Sequence, residues 1–235
     1  VQLINIIFQH DDFIIAEKPA NVNFHDEGKL DNGFFNQIKK QQKEQGNIND
    51  LYPVHRLDKM TSGLMIFAKN LPTAQQFQQL FEQHNIEKYY LAISDKKPKK
   101  KQGLIQGDME KSRRGMWKLL RSQVNPAITQ FLSYSLNDGQ RLYLLKPYSG
   151  KTHQLRVALS SIGSPILGDP LYATQTSDQE QRGYLHAYAL KFTLNEQTYQ
   201  YMLPPSFGEK YLTQPCQQQL ENIKEPWSLA WPSRS

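Results

Sequence analysis

The stretch of this chain best suited to chemistry is His55-Arg56-Leu57-Asp58-Lys59-Met60-Thr61-Ser62-Gly63-Leu64. It sets a carboxylate, Asp58, directly after Arg-Leu in a polar turn closed by Gly63, ahead of an apolar run. A carboxylate on such a turn can face a cleft while the following strand holds the loop rigid. Ionised, it can serve as a nucleophile or as a general base. Its plainer use is to accept turn amides. His55, His153 and His186 lie on separate segments, and Cys216 is the single cysteine. With no HExxH pattern and no cysteine support, hydrogen bonding suits these histidines better than ligation, and no metal is expected.

Elements must carry that turn. Leu64 to Ala68 reads as a buried strand behind it. Phe13 to Glu17 reads as a strand stopped at Lys18-Pro19. Asp31 to Gln45 reads as a polar helix with Phe34, Phe35 and Ile38 on one side, ended by Gly46-Asn47. Thr73 is placed to start a helix, with Gln76 completing a capping box and Ala74, Phe77, Leu80 and Phe81 on one face. Tyr89 to Ser94 is the next strand. The run Asp95 to Gly103, rich in lysine, should be an exposed loop or hairpin tip. Ala127 to Leu136 and Gln140 to Lys146 read as a hairpin around Asn137-Asp138-Gly139. Thr152 is placed to cap a helix bearing Leu155, Ala158, Leu159 and Ile162, with Gly163 as its left-handed C-terminal stop. Leu185 to Leu194 is a late strand. Strands outnumber helices and strict strand–helix alternation is missing, so the expected class is α+β with a mixed, largely antiparallel sheet. After Pro215 the Gln- and Pro-rich chain reads as a peripheral tail, residues 216–235.

Bulk composition limits the rest. A chain of 235 residues can build one core, and its 38% apolar and 21% charged content is that of a folded protein. One cysteine excludes an intramolecular disulfide. Val1 to Asp12 lacks the basic start and long apolar run of a signal peptide, and no stretch is apolar enough to span a bilayer. These features point to a cytoplasmic location. Lysine and arginine number 28 against 22 acids, a net charge of +6 that suits a nucleic-acid partner.

The string around Asp58 resembles the His-Arg-Leu-Asp motif of the RluA-type RNA pseudouridine synthases. Other segments match in the same chain order. Lys18-Pro19 resembles the early Lys-Pro element, and Glu87-Lys88-Tyr89-Tyr90-Leu91-Ala92 the Lys-x-Tyr-x-Ala strand. Ser149-Gly150-Lys151-Thr152-His153-Gln154-Leu155-Arg156 resembles the Thr-Gly-Arg-Thr-His-Gln-Ile-Arg segment. Gly163 to Tyr172 and Leu185-His186-Ala187 follow as the family pattern has them. The departures are Ala20-Asn21-Val22, which lacks the glycine usual after Lys-Pro, and Ser149 and Lys151 in place of Thr and Arg. Lysine keeps the charge but loses the planar fork of arginine.

The resemblance implies an isomerase with the pseudouridine synthase catalytic fold and an active-site cleft across the sheet. It implies a catalytic domain over residues 1–215 with a basic insertion at about 95–121, and no S4-type module before Phe13. The reaction breaks the N1–C1′ bond of a uridine, turns the base and rejoins it through C5, so no cofactor is implied. Asp58 is the implied nucleophile or base, Arg156 its guanidinium partner, and Tyr90 a stacking face and proton-handling hydroxyl. The target base must be unpaired or flipped out. Arg56 is placed to plug the vacated gap or grip a phosphate. His55, Lys151 and His153 would meet the RNA nearby. Lys96, Lys97, Lys99, Lys100, Lys101, Arg113 and Arg114, with Trp117 interleaved, would lie as a flexible arm on its backbone. The expected partner is rRNA or tRNA and the expected state a monomer. The competing readings are a non-catalytic RNA-binding or ribosome-assembly protein on the same scaffold, and a two-carboxylate glycosidase or nucleosidase. The second is weakened because Asp169, before Pro170, reads as turn chemistry.

Overall fold

The computed structural model describes residues 3–173 and 179–234. The outermost residues of the expected domain and tail, Val1, Gln2 and Ser235, lie outside that range. The apolar runs become strands. β1 (Ile6–Gln9) and β2 (Phe13–Lys18) form an edge hairpin. The helix α1 (Phe34–Glu44), the short β3 (Tyr52–Pro53) and β4 (Ser62–Ala68) follow. Next come α2 (Leu71–Glu82), β5 (Glu87–Ser94), β6 (Gly103–Gly107), β7 (Met109–Lys111) and β8 (Trp117–Leu119). The chain continues with β9 (Ala127–Ser135), β10 (Arg141–Pro147), α3 (Gln154–Ser161), β11 (Leu185–Leu194), β12 (Gln197–Met202) and α4 (Gln214–Asn222).

Among the described residues ten strands form one sheet in the order β1-β2-β4-β11-β5-β10-β9-β6, with β3 beside β4 and β12 beside β11. β4 and β11 run parallel, and every other pairing is antiparallel. This is the α+β, largely antiparallel architecture expected. β7 and β8 form a separate two-stranded hairpin.

β4 is buried along its whole length because both of its faces are covered. Leu64, Ile66 and Ala68 pack with Phe77 of α2 on one side. Met65 and Phe67 pack with Phe34 and Ile38 of α1 on the other. A third cluster joins β5, β10 and β11 to α3 and α4. Tyr90 touches the second and third clusters and so stands at their seam.

Some local expectations need correction. The N-cap of α2 is Asn70, whose side chain accepts the Thr73 N–H, rather than Thr73. Pro72 suits the first turn, where no backbone donor is needed, and so fixes the start earlier. Thr152 does not cap α3. His153 occupies that position in a left-handed conformation, with no side-chain cap. The segment after Pro215 is not peripheral: Cys216, Leu220 and Ile223 are buried in the third cluster, and Trp227 and Trp231 pack against Tyr89. The basic stretch 95–121 is not a loose arm either, since it supplies β6 to the sheet edge and the β7–β8 hairpin.

Candidate active site

The turn before β4 is closed by an N–H···O bond from Thr61 to the Asp58 carbonyl, 3.0 Å. Its amides therefore do not need the Asp58 side chain. Leu57 is buried with Phe24, Phe67 and Ala187 and pins the loop. His55 pins it again, accepting the Ile66 N–H at 2.9 Å while stacking on Phe81. Below the turn lies Lys18, fully buried at the end of β2. Its ammonium donates to the carbonyls of Pro19, Val22 and Lys59, at 2.8, 2.7 and 3.3 Å. Burial, then the nearby Arg182 charge, pulls the Lys18 pKa down to about 7, with Asp58 opposing.

Gly63 closes the approach. Its φ is 116°, and a Cβ there would strike the Ala187 backbone of β11. Only glycine lets β4 and β11 meet at Ser62–His186 and Gly63–Ala187. His186 locks the junction. Its Nε2 donates to the Leu203 carbonyl and its Nδ1 accepts from the Ser62 hydroxyl, both 2.7 Å. Burial drives its pKa to about 3, so it stays neutral. His55 is held at about 3 for the same first reason, with Lys88 adding repulsion.

Arg156 reaches Asp58 from α3. Nη1 donates to Asp58 Oδ2 at 3.0 Å, and Nε and Nη2 donate to the two oxygens of Asp169 at 2.8 Å each. The fork–fork pair with Asp169 is fully buried on the acid's side, whereas Asp58 keeps 36% of its side chain exposed. Asp169 Oδ1 also accepts the Leu171 and Tyr172 N–H groups. One carboxylate thus fixes the arginine and the other is presented to solvent. The N-terminus of α3 is tied down by Gln154, which accepts from Ser149 Oγ and Lys151 N and donates to Ile128 O and Thr129 Oγ1.

A cleft of about 820 Å³ opens above this set. Asp58, Tyr90, Arg156, Arg56, His55, Lys151 and His153 all line it, as do Lys88, Lys146 and Leu185. Burial, then the Asp58 charge, raises the Tyr90 pKa far above its ordinary value, so its hydroxyl remains a proton donor. His153 pairs through Nδ1 with the Tyr172 hydroxyl, which also accepts the Trp117 N–H. The Tyr172 ring lies 5.3 Å from the Arg156 guanidinium. Arg56 is exposed and makes no ion pair among the described residues.

The lysine run sits elsewhere. Lys96, Lys97, Lys99, Lys100 and Lys101 are exposed and do not line the cleft. Lys99 N bonds the Ile162 carbonyl, at the end of α3 opposite Arg156. Arg113 and Arg114 occupy the tip of the β7–β8 hairpin. Leu64 and Leu167 are core residues and do not line the cleft. Asp169, Lys18, Tyr172 and Lys88 were not singled out for the site. The signal for Asp169 was available: an acid in an apolar run needs a buried cation, and Arg156 is the one that the neighbouring segment offers.

Residues 12–161 match the family model of the RNA pseudouridylate synthases. An uncharacterized RNA pseudouridine synthase of Haemophilus influenzae is 50% identical over 189 residues, covering 80% of this chain and 82% of the relative. The ribosomal large subunit pseudouridine synthase C of Rickettsia bellii is 35% identical over 171 residues, 71% of this chain and 56% of the relative. Among solved structures, human RNA pseudouridylate synthase domain containing 4 is similar with a TM-score of 0.71 and 26% identity, over 86% of this chain and 89% of that one. With the Asp58 turn, the Tyr90 strand and the Arg156 helix brought to one cleft on this sheet, and with that family match along most of the chain, the protein belongs to the RluA-type RNA pseudouridine synthases, which are isomerases.

Proposed function

We propose that Asp58 is the catalytic carboxylate, acting as nucleophile or base on a uridine turned out of an rRNA or tRNA into the cleft. The observation that carries this is the Asp169–Arg156–Asp58 chain, which leaves one Asp58 oxygen without a protein donor among the described residues. Arg156 holds Asp58 aimed at the cleft through its Nη1 hydrogen bond. Tyr90 gives the extruded base a face and, with its hydroxyl protonated, a donor. Arg56 fills the gap left by the base or takes a phosphate, since it is exposed at the cleft and pairs with no acid among the described residues. His55 stiffens the loop, while Lys151 and His153 face the RNA from the α3 side. The hairpin tip with Arg113 and Arg114, and more distantly Lys96 to Lys101, extend the basic surface along the backbone. The name of the Rickettsia relative favours large-subunit rRNA as the substrate. We further propose a monomer working in the cytoplasm. Asp169, the acid weighed for the two-carboxylate hydrolase reading, is occupied by Arg156 and two backbone amides, which supports the isomerase reading over it.

The test is Asp58→Asn, with Asp58→Ala as its companion, followed by mapping of pseudouridine in cellular rRNA and tRNA. A defined modification should vanish while RNA binding persists. A fully modified RNA made by the Asp58→Ala protein would overturn the assignment. If modification never depended on the chain at all, the non-catalytic binding reading would take its place.

A further inference from the structure

Lys88 is a cation in this cleft that no acid pairs with among the described residues. Strand alternation puts Lys88 and Tyr90 of β5 on the same face, roughly 7 Å apart along the strand. Both line the cleft with Asp58. The Lys88 ammonium lies 5.8 Å from the centre of the Phe81 ring. It also sits over the Gly150 backbone, where a Cβ would come to 3.6 Å from Nζ and meet no other non-neighbouring atom within 4 Å. Glycine at 150 therefore leaves open space beside the ammonium on that side. Among the described residues Lys88 makes no ion pair. The adjacent acid is taken: Glu87 accepts the Tyr89 hydroxyl at 2.9 Å and pairs with Lys146 at 3.8 Å. His55, the other titratable group beside Lys88, is neutral and offers no charge.

Partial burial without a counter-charge is costly for an ammonium and pulls the Lys88 pKa down to about 8. An anion entering the cleft would relieve that cost. The substrate brings one phosphate per nucleotide. We propose that Lys88 grips a backbone phosphate flanking the target uridine, setting the register in which Tyr90 and Asp58 meet the base and sugar. The proposal rests on the pseudouridine synthase reading of this cleft and adds a contact on the phosphate side. A neutral residue of similar length retains whatever packing the aliphatic stem supplies.

The experiment compares Lys88→Met and Lys88→Gln with Lys88→Arg, each verified as folded by its melting transition. Binding is measured in an Asp58→Asn background, using in vitro transcribed large-subunit rRNA and tRNA as probes, across a range of salt. Turnover is measured on the same RNAs with Asp58 intact. Lys88→Met and Lys88→Gln should make the log-affinity against log-salt slope shallower by about one, and raise KM about tenfold with less change in kcat. Lys88→Arg should restore the slope. A neutral variant that keeps the parental slope and KM overturns the Lys88 proposal alone. Failure of the wild-type chain to bind or isomerise any of these RNAs overturns the functional reading, and the Lys88 contact with it.

Discussion

The guanidinium of Arg156 is divided between two carboxylates of unequal duty. Asp169, fully buried and four times hydrogen-bonded, fixes the plane of the guanidinium. Asp58, one-third exposed, takes the remaining Nη1 and faces the cleft. Replacing the fixing acid should therefore damage both stability and chemistry. Asp169→Asn leaves a buried guanidinium short of its charge partner, at a cost of about 3 kcal/mol or more. Urea unfolding should register that loss, and single-turnover isomerisation should slow by at least tenfold while RNA affinity changes little. Equal stability of Asp169→Asn and wild type would remove Asp169 from this role.

At the scale of elements, the site depends on the junction where β4 and β11 pair for two rungs and then part. β11 goes on to β12, and β4 to β3 and β2. The Asp58 turn hangs from that junction, and Gly63 permits it. Gly63→Ala puts a Cβ into the Ala187 backbone at a positive φ. The expected result is a loss of about 2 kcal/mol or more in stability, with faster amide exchange in residues 55–63. A Gly63→Ala chain as stable as its parent would show that the two strands can separate without harm. The same element scale explains the misplaced caps. Thr73 and Thr152 are sound cap residues by type, but Pro72 moves one start earlier and the Gln154 hydrogen bonds hold the other.

At the scale of the whole molecule, stability should track pH through its buried basic groups. His186 is neutral in the folded chain, with a pKa near 3, and would ionise near 6.5 once unfolded. The unfolded chain then binds the extra proton between those values. Stability is present above about pH 6.5 and falls as pH drops toward 3, by roughly a few kcal/mol for this group. His55 acts in the same direction. Lys18 works in a higher window: its folded pKa of about 7 lies below the ordinary 10.5, so its contribution rises with pH between those limits. Denaturant titrations at stepped pH should trace the acid limb, and His186→Asn should flatten it. An acid limb unchanged in His186→Asn would show that other groups drive it.

By itself, the chain of residues determined the local carriers: the Asp58 turn, the Tyr90 strand, the hairpin at Asn137-Asp138-Gly139 and the late strand Leu185–Leu194 all arise from periodicity and turn chemistry that neighbours along the chain impose. The C-terminal helix was hidden because its Gln- and Pro-rich composition masked the helical spacing of Cys216, Leu220 and Ile223. Only the tertiary structure decided that Asp169 locks Arg156, that Lys18 supports the turn from below, and that Lys88 lies beside Gly150 with no ion pair among the described residues. Those relations join residues from distant segments, and the cost of burying a charge depends on which partners folding brings within a few ångströms.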